Sequence, residues 1–490
     1  MFISAHSSIR LAAALLLTLA GCTVGPDFLR PEAPPEAHYG KNGDPATTIA
    51  ADSVAQRFAP GEAVAAEWWR LFNSPKIDAI IAAATAANPT LQAAQASLRQ
   101  SQYNLRAGYG VFFPAVAADL GAARQRYSPL KVGQDVPSSI FSLFTVSASV
   151  SYAVDVFGGE RRAVEGLSAT VDAQQDAALA AYLALSSNVV NTVIAKAAYS
   201  AELEATRQII DVEHEQVKLA RDQADAGTAP YSSVLSIESQ LDASEATIPG
   251  LEQKITQADD LLATLVGRTP AEFDPPEIAF SELALPRDLP VSLPSDLVRQ
   301  RPDILAAEAG LHQASAAIGV ATAALLPSLT LNASYGANNT AANDLFAHDA
   351  RFWSLGADIT APLFEGGTLW FRRKAAIAGF EQSAAQYRQT VLSAFAQVAD
   401  TLRALGHDAE TLEAQDHALD AAQEALRLVN ANYAAGLANY TNVLIADGQF
   451  HQAQIADLEA RAVRYQDTVA LFAALGGGWW NADAKSASVP

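Results

Sequence analysis

Cysteine and basic residues are both scarce in this sequence. Cysteine occurs once in 490 residues, at Cys22, so no disulfide can form within the chain and no cysteine-based metal site is available. Lysine and arginine together number 32 against 53 aspartates and glutamates, and the formal net charge is −21. This balance argues against nucleic-acid binding, which requires a basic surface. Simple solubility is an alternative explanation for so negative a charge.

Motifs for catalysis and cofactor binding are also missing. The sequence contains no G-x-S-x-G nucleophile motif, no Walker loop and no dinucleotide-binding fingerprint. None of its eight histidines forms an H-E-x-x-H or H-x3-H pair, so we expect neither a metal ion nor a cofactor. Two Gly-Gly pairs, at residues 158–159 and 366–367, follow predicted strands as phosphate loops do. Turns explain them better, because the further glycine or Gly-Lys-Ser/Thr is absent, and we predict that the chain is not an enzyme.

The first 22 residues have the features of a bacterial export signal. Arg10 precedes a short apolar run, which is too short to span a bilayer and ends in small residues before Cys22. Residues 19–22 resemble the lipobox, in which the cysteine becomes the acylated first residue of the mature protein. We therefore predict a signal peptide at residues 1–21 and lipidation at Cys22. An ordinary cleaved signal with an incidental cysteine is the alternative, while Thr23, in place of aspartate, favours sorting to the outer membrane.

The sequence contains two copies of one unit, spaced by about 210 residues. Four landmarks of the first copy correspond in order to landmarks of the second: residues 113–116 to 326–329, 157–159 to 365–367, 226–227 to 435–436 and 266–267 to 475–476. The predicted domains are an N-terminal lipidated segment at 22–87, repeat 1 at 88–267, a proline-rich linker at 268–298, repeat 2 at 299–478 and a C-terminal tail at 479–490.

Each copy is predicted to contain a helix, two strands, a very long helix and a shorter helix. The long helices cover about residues 160–226 and 368–435, neither with an internal proline. About 65 residues give a helix of roughly 100 Å, whereas ordinary globular helices have about 12 residues. Apolar residues such as Val189, Val193 and Leu203 recur at helical spacing, so we expect these helices to bury a stripe. A coiled-coil fibre would account for the helices but not for the strands.

The predicted strands alternate between apolar and polar residues. From Phe144 to Val154 the even-numbered residues are apolar, and segments 329–335 and 353–361 alternate in the same way, while a weaker strand follows Pro114. A soluble sheet with one buried face would give this pattern too. Strand lengths of about ten residues, aromatic residues near the strand ends and the export signal favour a membrane β-barrel. The residues predicted to face lipid are Phe144, Val146, Val150, Leu331, Trp353, Leu355 and Ile359.

Four strands are too few to close a barrel, since the smallest barrels have about eight. An open edge cannot lie in lipid, because its backbone groups would lack hydrogen-bond partners. Several protomers must therefore share one barrel. Two would give eight strands around a filled interior, and three would give 12, which suits a duct. The predicted fold class is an α+β membrane protein of two tandem repeats, with a trimeric 12-stranded β-barrel to which each chain contributes four strands.

Four segments resemble the TolC-like outer-membrane factor family: Cys22–Phe28, Glu67–Phe72, Asn88–Ala94 and, the most characteristic, Leu293–Glu308. The resemblance is to the NodT and OprM type of efflux outer-membrane lipoprotein, which serves resistance-nodulation-division pumps, and it covers nearly the whole mature chain. It implies a homotrimer whose barrel lies in the outer membrane of a Gram-negative bacterium. It also implies that the barrel continues into a long α-helical barrel across the periplasm, and that the channel uses no cofactor.

The resemblance further implies a function and partners. The channel would passively conduct drugs or other small toxic molecules to the exterior. It would act with a periplasmic adaptor (membrane fusion) protein and an inner-membrane resistance-nodulation-division pump. The outer-membrane duct of a type I protein secretion system is the close alternative. A periplasmic structural or adhesin lipoprotein with coiled coils is an alternative of another class, and it predicts no ion conductance.

The long helices are predicted to turn back at Gly227 and Gly436, which would form the periplasmic tip. In the family this tip meets the adaptor and closes the resting channel, often with a ring of aspartates. Asn442 stands at one of the matching positions here, so that ring is not reproduced. Asp222 and Asp225 lie at the first turn instead, and three chains would bring six carboxylates together. We hypothesise an electronegative tip that acts in gating, with a merely solvated helix end as the alternative.

Overall fold

The computed structural model describes residues 23–41, 43–62, 64–128 and 137–481. Cys22 and the predicted signal peptide lie outside the described residues, as do residues 482–490 of the predicted tail. The chain divides into two compact units, each assembled from three segments. Unit 1 comprises residues 1–30, 98–174 and 307–387, and unit 2 comprises residues 31–97, 175–306 and 388–490.

The secondary structure of the described residues consists mainly of helices. The helices are α1 (Pro75–Ala87), α2 (Pro89–Gly108), α3 (Gly159–Asp225), α4 (Tyr231–Glu245), α5 (Ile248–Leu265), α6 (Pro294–Gln300), α7 (Pro302–Ala323), α8 (Thr368–Ala434) and α9 (Tyr440–Ala474). The strands are β1 (Arg57–Pro60), β2 (Ala115–Tyr127), β3 (Ser139–Val154), β4 (Asp288–Val291), β5 (Ser328–Asn339) and β6 (Arg351–Thr360).

Unit 1 contains a four-stranded antiparallel sheet in the order β2-β3-β5-β6. Its strands have 13, 16, 12 and 10 residues, lengths that suit a transmembrane strand. The strand after Pro114, which has only a weak signal in the sequence, is as long as the others. It pairs along its whole length with β3, from Ala115 opposite Ser151 to Tyr127 opposite Ser139. Pairing with a strongly alternating neighbour therefore extends a strand that its own residues specify poorly.

The two long helices match their predicted bounds within one residue. Both α3 and α8 have 67 residues, which corresponds to about 100 Å. The predicted apolar stripe of α3 is buried, since Val189, Val193 and Leu203 are 0%, 3% and 8% exposed. By length and composition α3 and α7 each contain a stretch that could cross a membrane, but about half of each stretch is buried within the chain. Two such helices are by themselves only weak evidence of a membrane span.

The prediction of one shorter helix after the first turn is wrong. Two helices follow it, α4 and α5, separated by residues 246–247. Pro249 lies in the first turn of α5, where its missing N–H removes no intrahelical hydrogen bond. Inside a continuous helix the same proline would remove a hydrogen bond and clash with the preceding turn. The corresponding helix α9 contains no proline and runs unbroken for 35 residues.

Unit 2 contains a small sheet that the sequence did not predict. Strands β1 and β4 pair in parallel, with Arg57 opposite Asp288 at one end. Strand β4 and the start of α6 fall within the predicted linker, so the end of that segment is regular structure. The core of unit 2 includes Trp68 and Phe472, which are 1% and 0% exposed and stack with 5.3 Å between ring centroids. Burying aromatic rings of this size is a major source of stability.

Candidate functional site

The apolar face of the sheet in unit 1 is the first candidate surface. Residues that pair directly across antiparallel strands share a face, and the register aligns Val116, Val150, Ala333 and Leu355 in one row. Trp353 and Leu355 on this face are 76% and 77% exposed. The chain by itself therefore leaves a contiguous apolar surface uncovered, as expected of a surface that meets lipid or another chain. All residues predicted to face lipid lie on this face: Phe144, Val146, Val150, Leu331, Trp353, Leu355 and Ile359.

The opposite face of the same sheet is polar. It carries serine, threonine and asparagine side chains, several of which form hydrogen bonds across the strands. The amide of Asn332 donates to Asp358 at 2.8 Å, and the hydroxyls of Ser334 and Ser354 are 2.8 Å apart. Asp119, the other acidic residue of the strands, lies on this face too. A hydrated lumen suits such a face, because barrel strands that line a channel point their polar residues inward.

The two edges of the sheet are open. Among the strands that the structure describes, β2 pairs only with β3, and β6 pairs only with β5. Every residue of β2 is exposed. Each open edge presents a row of backbone N–H and C=O groups that can pair with another strand. The sheet of one chain is therefore incomplete as a membrane-spanning structure.

The turns after α3 and α8, both in unit 2, form the second candidate surface. Gly227 and Gly436 have φ values of +69° and +74°, a left-handed conformation that other residues rarely adopt. In each turn the amide after the glycine donates to the carbonyl five residues earlier, at 2.9 Å in the first turn and 2.8 Å in the second. This is the hydrogen-bond pattern of a glycine helix cap. The predicted reversal of the chain at both glycines is confirmed.

The two turns contact each other. The side-chain amide of Gln223 in α3 lies 2.8 Å from the hydroxyl of Tyr433 in α8. The ring of Tyr433 packs edge-on against Tyr440, with 5.3 Å between the centroids. Tyr440 in turn packs on a buried apolar cluster that α3 and α4 form: Val217, Ala220, Val234, Ile237 and Leu241. These contacts connect the end of the α3–α4 hairpin to the end of the α8–α9 hairpin.

The predicted gate residues lie around this contact. Asp222 and Asp225 are exposed on the last turns of α3. Asn442 is exposed on the first turn of α9, where its backbone amide donates to the side chain of Asn439 at 3.1 Å and caps the helix. The structure thus gives Asn442 a place in a helix cap. A role of these residues in gating stays a prediction.

Sequence reasoning missed a buried arginine in unit 2. Arg464 on α9 is only 1% exposed. Its guanidinium donates to the side chain of Gln56 at 3.1 Å and to the carbonyls of Ala51 and Val54 at 3.2 and 2.9 Å. Arg464 therefore fastens the segment before β1 to α9. Ala453 and Asp457 precede Arg464 at helical spacing, and all three lie on the buried stripe of α9. This spacing is the feature of the sequence that could have placed Arg464 on that stripe.

A second arginine, Arg461, joins three carboxylates from three segments. It contacts Asp416 on α8 at 2.8 Å, Asp457 on α9 at 2.7 Å and Asp52 before β1. Burial raises the pKa of Asp457 to about 6, although the hydrogen bond from Arg461 opposes this rise. These groups tie α8, α9 and the N-terminal segment of unit 2 together.

Comparison with known proteins gives consistent results. A sequence model of the family described as outer membrane efflux protein matches residues 80–268 and 293–477. The pyoverdine export outer membrane protein OpmQ of Pseudomonas aeruginosa is 32% identical over 440 residues, which is 88% of this chain and 92% of the relative. The toluene efflux pump outer membrane protein TtgC of Pseudomonas putida is 29% identical over 465 residues, 94% of each chain. A solved structure of the outer-membrane channel OprN matches with a TM-score of 0.83 at 26% identity, covering 94% of this chain and 100% of that chain.

Proposed function

Because the chain belongs to the outer membrane efflux protein family, we propose that three copies share one 12-stranded barrel in the outer membrane. The protein is an outer-membrane efflux channel, and a channel needs a closed wall. The open edges of β2 and β6 are the observation that carries the proposal. When β6 of one copy pairs with β2 of the next, three copies close a barrel wide enough to conduct. Two copies would give eight strands and an interior filled by side chains.

The faces of the sheet assign the two sides of this barrel. The apolar face, with Val150 and Leu355, contacts lipid, and the polar face, with Asp119 and Asp358, lines the lumen. The long helices α3 and α8 extend into the periplasm as an α-helical barrel, and their turns at Gly227 and Gly436 form its tip. The two matched segments of the family support the two tandem repeats and the domain boundaries predicted above.

We further propose that Cys22 carries lipid. Thr23, the first described residue, packs so closely on Gly158 that a Cβ there would lie 2.9 Å from the Cα of Thr23. The amide of Val24 donates to the carbonyl of Phe157 at 3.0 Å. Thr23 and Val24 therefore lie beside the end of β3, which supports a lipid anchor on the preceding cysteine. Mass spectrometry of the mature N-terminus tests this, and an unmodified terminus at another residue contradicts it.

The channel conducts its cargo passively and performs no catalysis. We propose that a periplasmic adaptor and an inner-membrane pump of the resistance-nodulation-division type deliver small toxic molecules to it and supply the energy. Relatives named for pyoverdine export and for toluene efflux favour small compounds over a secreted protein as cargo. The hydroxyl- and amide-rich lumen face offers many hydrogen-bonding groups and few charges, which suits passage without tight binding.

Engineered cysteines test the closure of the barrel. The chain has one native cysteine, so Cys22→Ser gives a cysteine-free background. Ala117→Cys on β2 is then combined in turn with Ser354→Cys, Gly356→Cys or Asp358→Cys on β6. These strands lie at opposite edges of one sheet, so a disulfide between them joins different copies. We expect at least one pair to give a covalent trimer, and each single variant to stay monomeric under denaturing conditions.

Native mass spectrometry and planar-bilayer recording complete the test. The wild type should contain three chains and show discrete conductance. A stable monomer that keeps all its β structure would contradict the shared barrel. Trimers without any conductance would instead favour a structural lipoprotein over a channel.

A further inference from the structure

The charged residues of the four-stranded sheet divide between its faces by sign. Five charged residues lie in strands β2, β3, β5 and β6. The acidic ones, Asp119 and Asp358, are on the polar face. The basic ones, Arg124, Arg126 and Arg351, are all on the apolar face, and all three are exposed. An arginine on a lipid-facing surface is far more unfavourable at the membrane midplane than near the interface, so the position of these residues along the membrane normal decides whether they are tolerated.

The arginines lie at the end of the sheet remote from the helices. Arg124 follows Val116 by eight residues on β2, and Arg351 precedes Ile359 by eight residues on β6. Eight residues at about 3.3 Å each, on a strand tilted by about 40°, rise roughly 20 Å. The apolar band of an outer-membrane barrel is about 25 Å tall, so both arginines lie near its outer boundary.

Aromatic residues mark the same boundary. Trp353 lies two residues from Arg351 on the same face, and Phe144 pairs with Ala122, two residues before Arg124. Aromatic girdles occur at the interface between the apolar band and the lipid headgroups. The order along the face is thus apolar residues, aromatic residues and then arginines, which places the guanidinium groups at the headgroup level.

We propose that Arg124, Arg126 and Arg351 bind the phosphate groups of the glycolipid in the outer leaflet. The inference rests on the shared barrel proposed above, in which β6 of one copy lies beside β2 of the next. Arg351 of one copy and Arg124 of the next then belong to adjacent strands of one surface. Guanidinium groups suit this ligand, because their planar N–H donors match the oxygens of a phosphate. In a chain of net charge −21, such a basic surface favours an anionic lipid locally.

Among the residues that the structure describes, few contacts occupy the guanidinium groups. Arg126 donates from Nε to the hydroxyl of Ser138 at 2.9 Å, which uses one of its five N–H donors. The acidic residues that the structure describes near this end of the sheet are Asp344 and Asp349, which lie in the connection between β5 and β6 and not on the strand face. The face itself is therefore basic at its outer end.

Binding of lipid A, the phosphate-bearing glycolipid, tests the proposal. The purified protein in detergent is titrated with diphosphorylated lipid A and with its dephosphorylated counterpart, and bound lipid is counted by native mass spectrometry. A basic residue near a charged membrane surface contributes about 1 kcal/mol, or about fivefold in affinity. The variant Arg124→Gln/Arg126→Gln/Arg351→Gln should therefore bind the phosphorylated lipid about 100-fold more weakly. The dephosphorylated lipid should bind all variants alike.

A matched control removes the same charge elsewhere. The variant Arg99→Gln/Arg287→Gln/Arg299→Gln changes three exposed arginines outside the sheet and should bind as the wild type does. If the sheet variant keeps its affinity, or if the control loses as much, the proposal is wrong. If inorganic phosphate displaces lipid A at an equal concentration of phosphate, the arginines form a site for free anions, and the proposal is also wrong. If the triple variant fails to assemble, the three single variants decide, since each should lose about fivefold.

Conductance separates this inference from the proposed function. A sheet variant that forms conducting trimers but loses lipid A supports both. A sheet variant that forms conducting trimers and binds lipid A as the wild type does contradicts the lipid site but not the proposed channel. A wild type that is monomeric and non-conducting overturns the channel itself and, with it, the surface on which the lipid site depends.

Discussion

Large apolar side chains are exposed on the sheet of unit 1 but buried among the helices of unit 2. In the sheet, Trp353 and Leu355 are more than three-quarters exposed, and neither edge pairs with another of the described strands. In unit 2, Trp68 and Phe472 are almost completely buried, and even the guanidinium of Arg464 is enclosed and hydrogen-bonded. Unit 2 can therefore draw its stability from its own contacts, whereas in the barrel proposed above the sheet depends on lipid and on other copies. Substitutions in unit 2 should change the free energy of unfolding, and substitutions in the sheet should change insertion and assembly.

The largest effect is expected from Arg464→Met. This change keeps an unbranched apolar stem but removes the guanidinium, which leaves Gln56 and the carbonyls of Ala51 and Val54 buried without their donor. Leaving a buried polar group without its hydrogen-bond partner costs about 1–3 kcal/mol, and three acceptors lose their donor here. Chemical unfolding of the purified protein in detergent, followed by circular dichroism, measures the loss in the free energy of unfolding. Arg427→Met is the control, because Arg427 is exposed and paired only with Glu424 on its own helix, so it should not change unfolding.

Arginine substitutions in the sheet should have the next largest effect. Val150→Arg or Leu355→Arg places a charge on the apolar face near its middle and should cost about 2–4 kcal/mol of insertion free energy. The fraction of protein recovered from outer membranes as trimer measures the loss. Ser149→Arg, one residue away on the polar face, is the matched control and should insert normally. Equal loss in both variants would show that the faces are assigned wrongly.

A smaller, pH-dependent effect on the free energy of unfolding is expected from the protonation of Asp408 in unit 2. Burial raises the pKa of Asp408 to about 7, the neighbouring Asp467 raises it too, and Arg464 and His407 lower it. The folded protein therefore holds a proton that the unfolded chain releases near pH 4. The resulting stabilisation is complete below about pH 4, decreases between pH 4 and 7 and is lost above pH 7.

Unfolding measured at pH 5 and pH 8 checks this sign. From pH 5 to pH 8 the free energy of unfolding of the wild type should fall by roughly 1–2 kcal/mol more than that of Asp408→Asn, because the amide does not titrate. Asp420→Asn, an exposed aspartate on the same helix, should behave as the wild type does. The same pH dependence in Asp408→Asn and the wild type would exclude Asp408 as its source.

The faces of the sheet and the bounds of the long helices could be predicted from the sequence. The faces of β3, β5 and β6 follow from alternation between neighbouring residues, so the residues that share the apolar face could be assigned from the sequence alone. The bounds of α3 and α8 follow from a long run without proline that ends at a glycine. Such local signals need no knowledge of the rest of the fold.

Features that depend on distant contacts were missed. Strands β1 and β4 have four residues each, too few to show a period, and Arg57 meets Asp288 across 231 positions of sequence. The contact between Gln223 and Tyr433 spans 210 positions. The partners of Arg464 lie more than 400 residues earlier in the sequence, and the helical spacing of α9 does not identify them. Polar groups of unit 2 are placed by tertiary structure, whereas residues of the sheet are placed by their own alternation.

The smallest effect is expected at the turns of the long helices. Asp222 and Asp225 lie at the C-terminal end of α3, where a negative charge interacts unfavourably with the helix dipole. Replacing both with asparagine should therefore slightly raise helix stability, so helix stability does not explain their presence. We expect Asp222→Asn/Asp225→Asn to reduce the cation preference of single channels at low salt, where surface charges are least screened. Glu413→Gln/Asp420→Asn removes the same charge from exposed positions on α8 and should leave selectivity unchanged. If conductance, cation preference and drug resistance are unchanged in the turn variant, the six carboxylates of a trimer do not act in gating, and the first turn serves only to reverse the chain at Gly227.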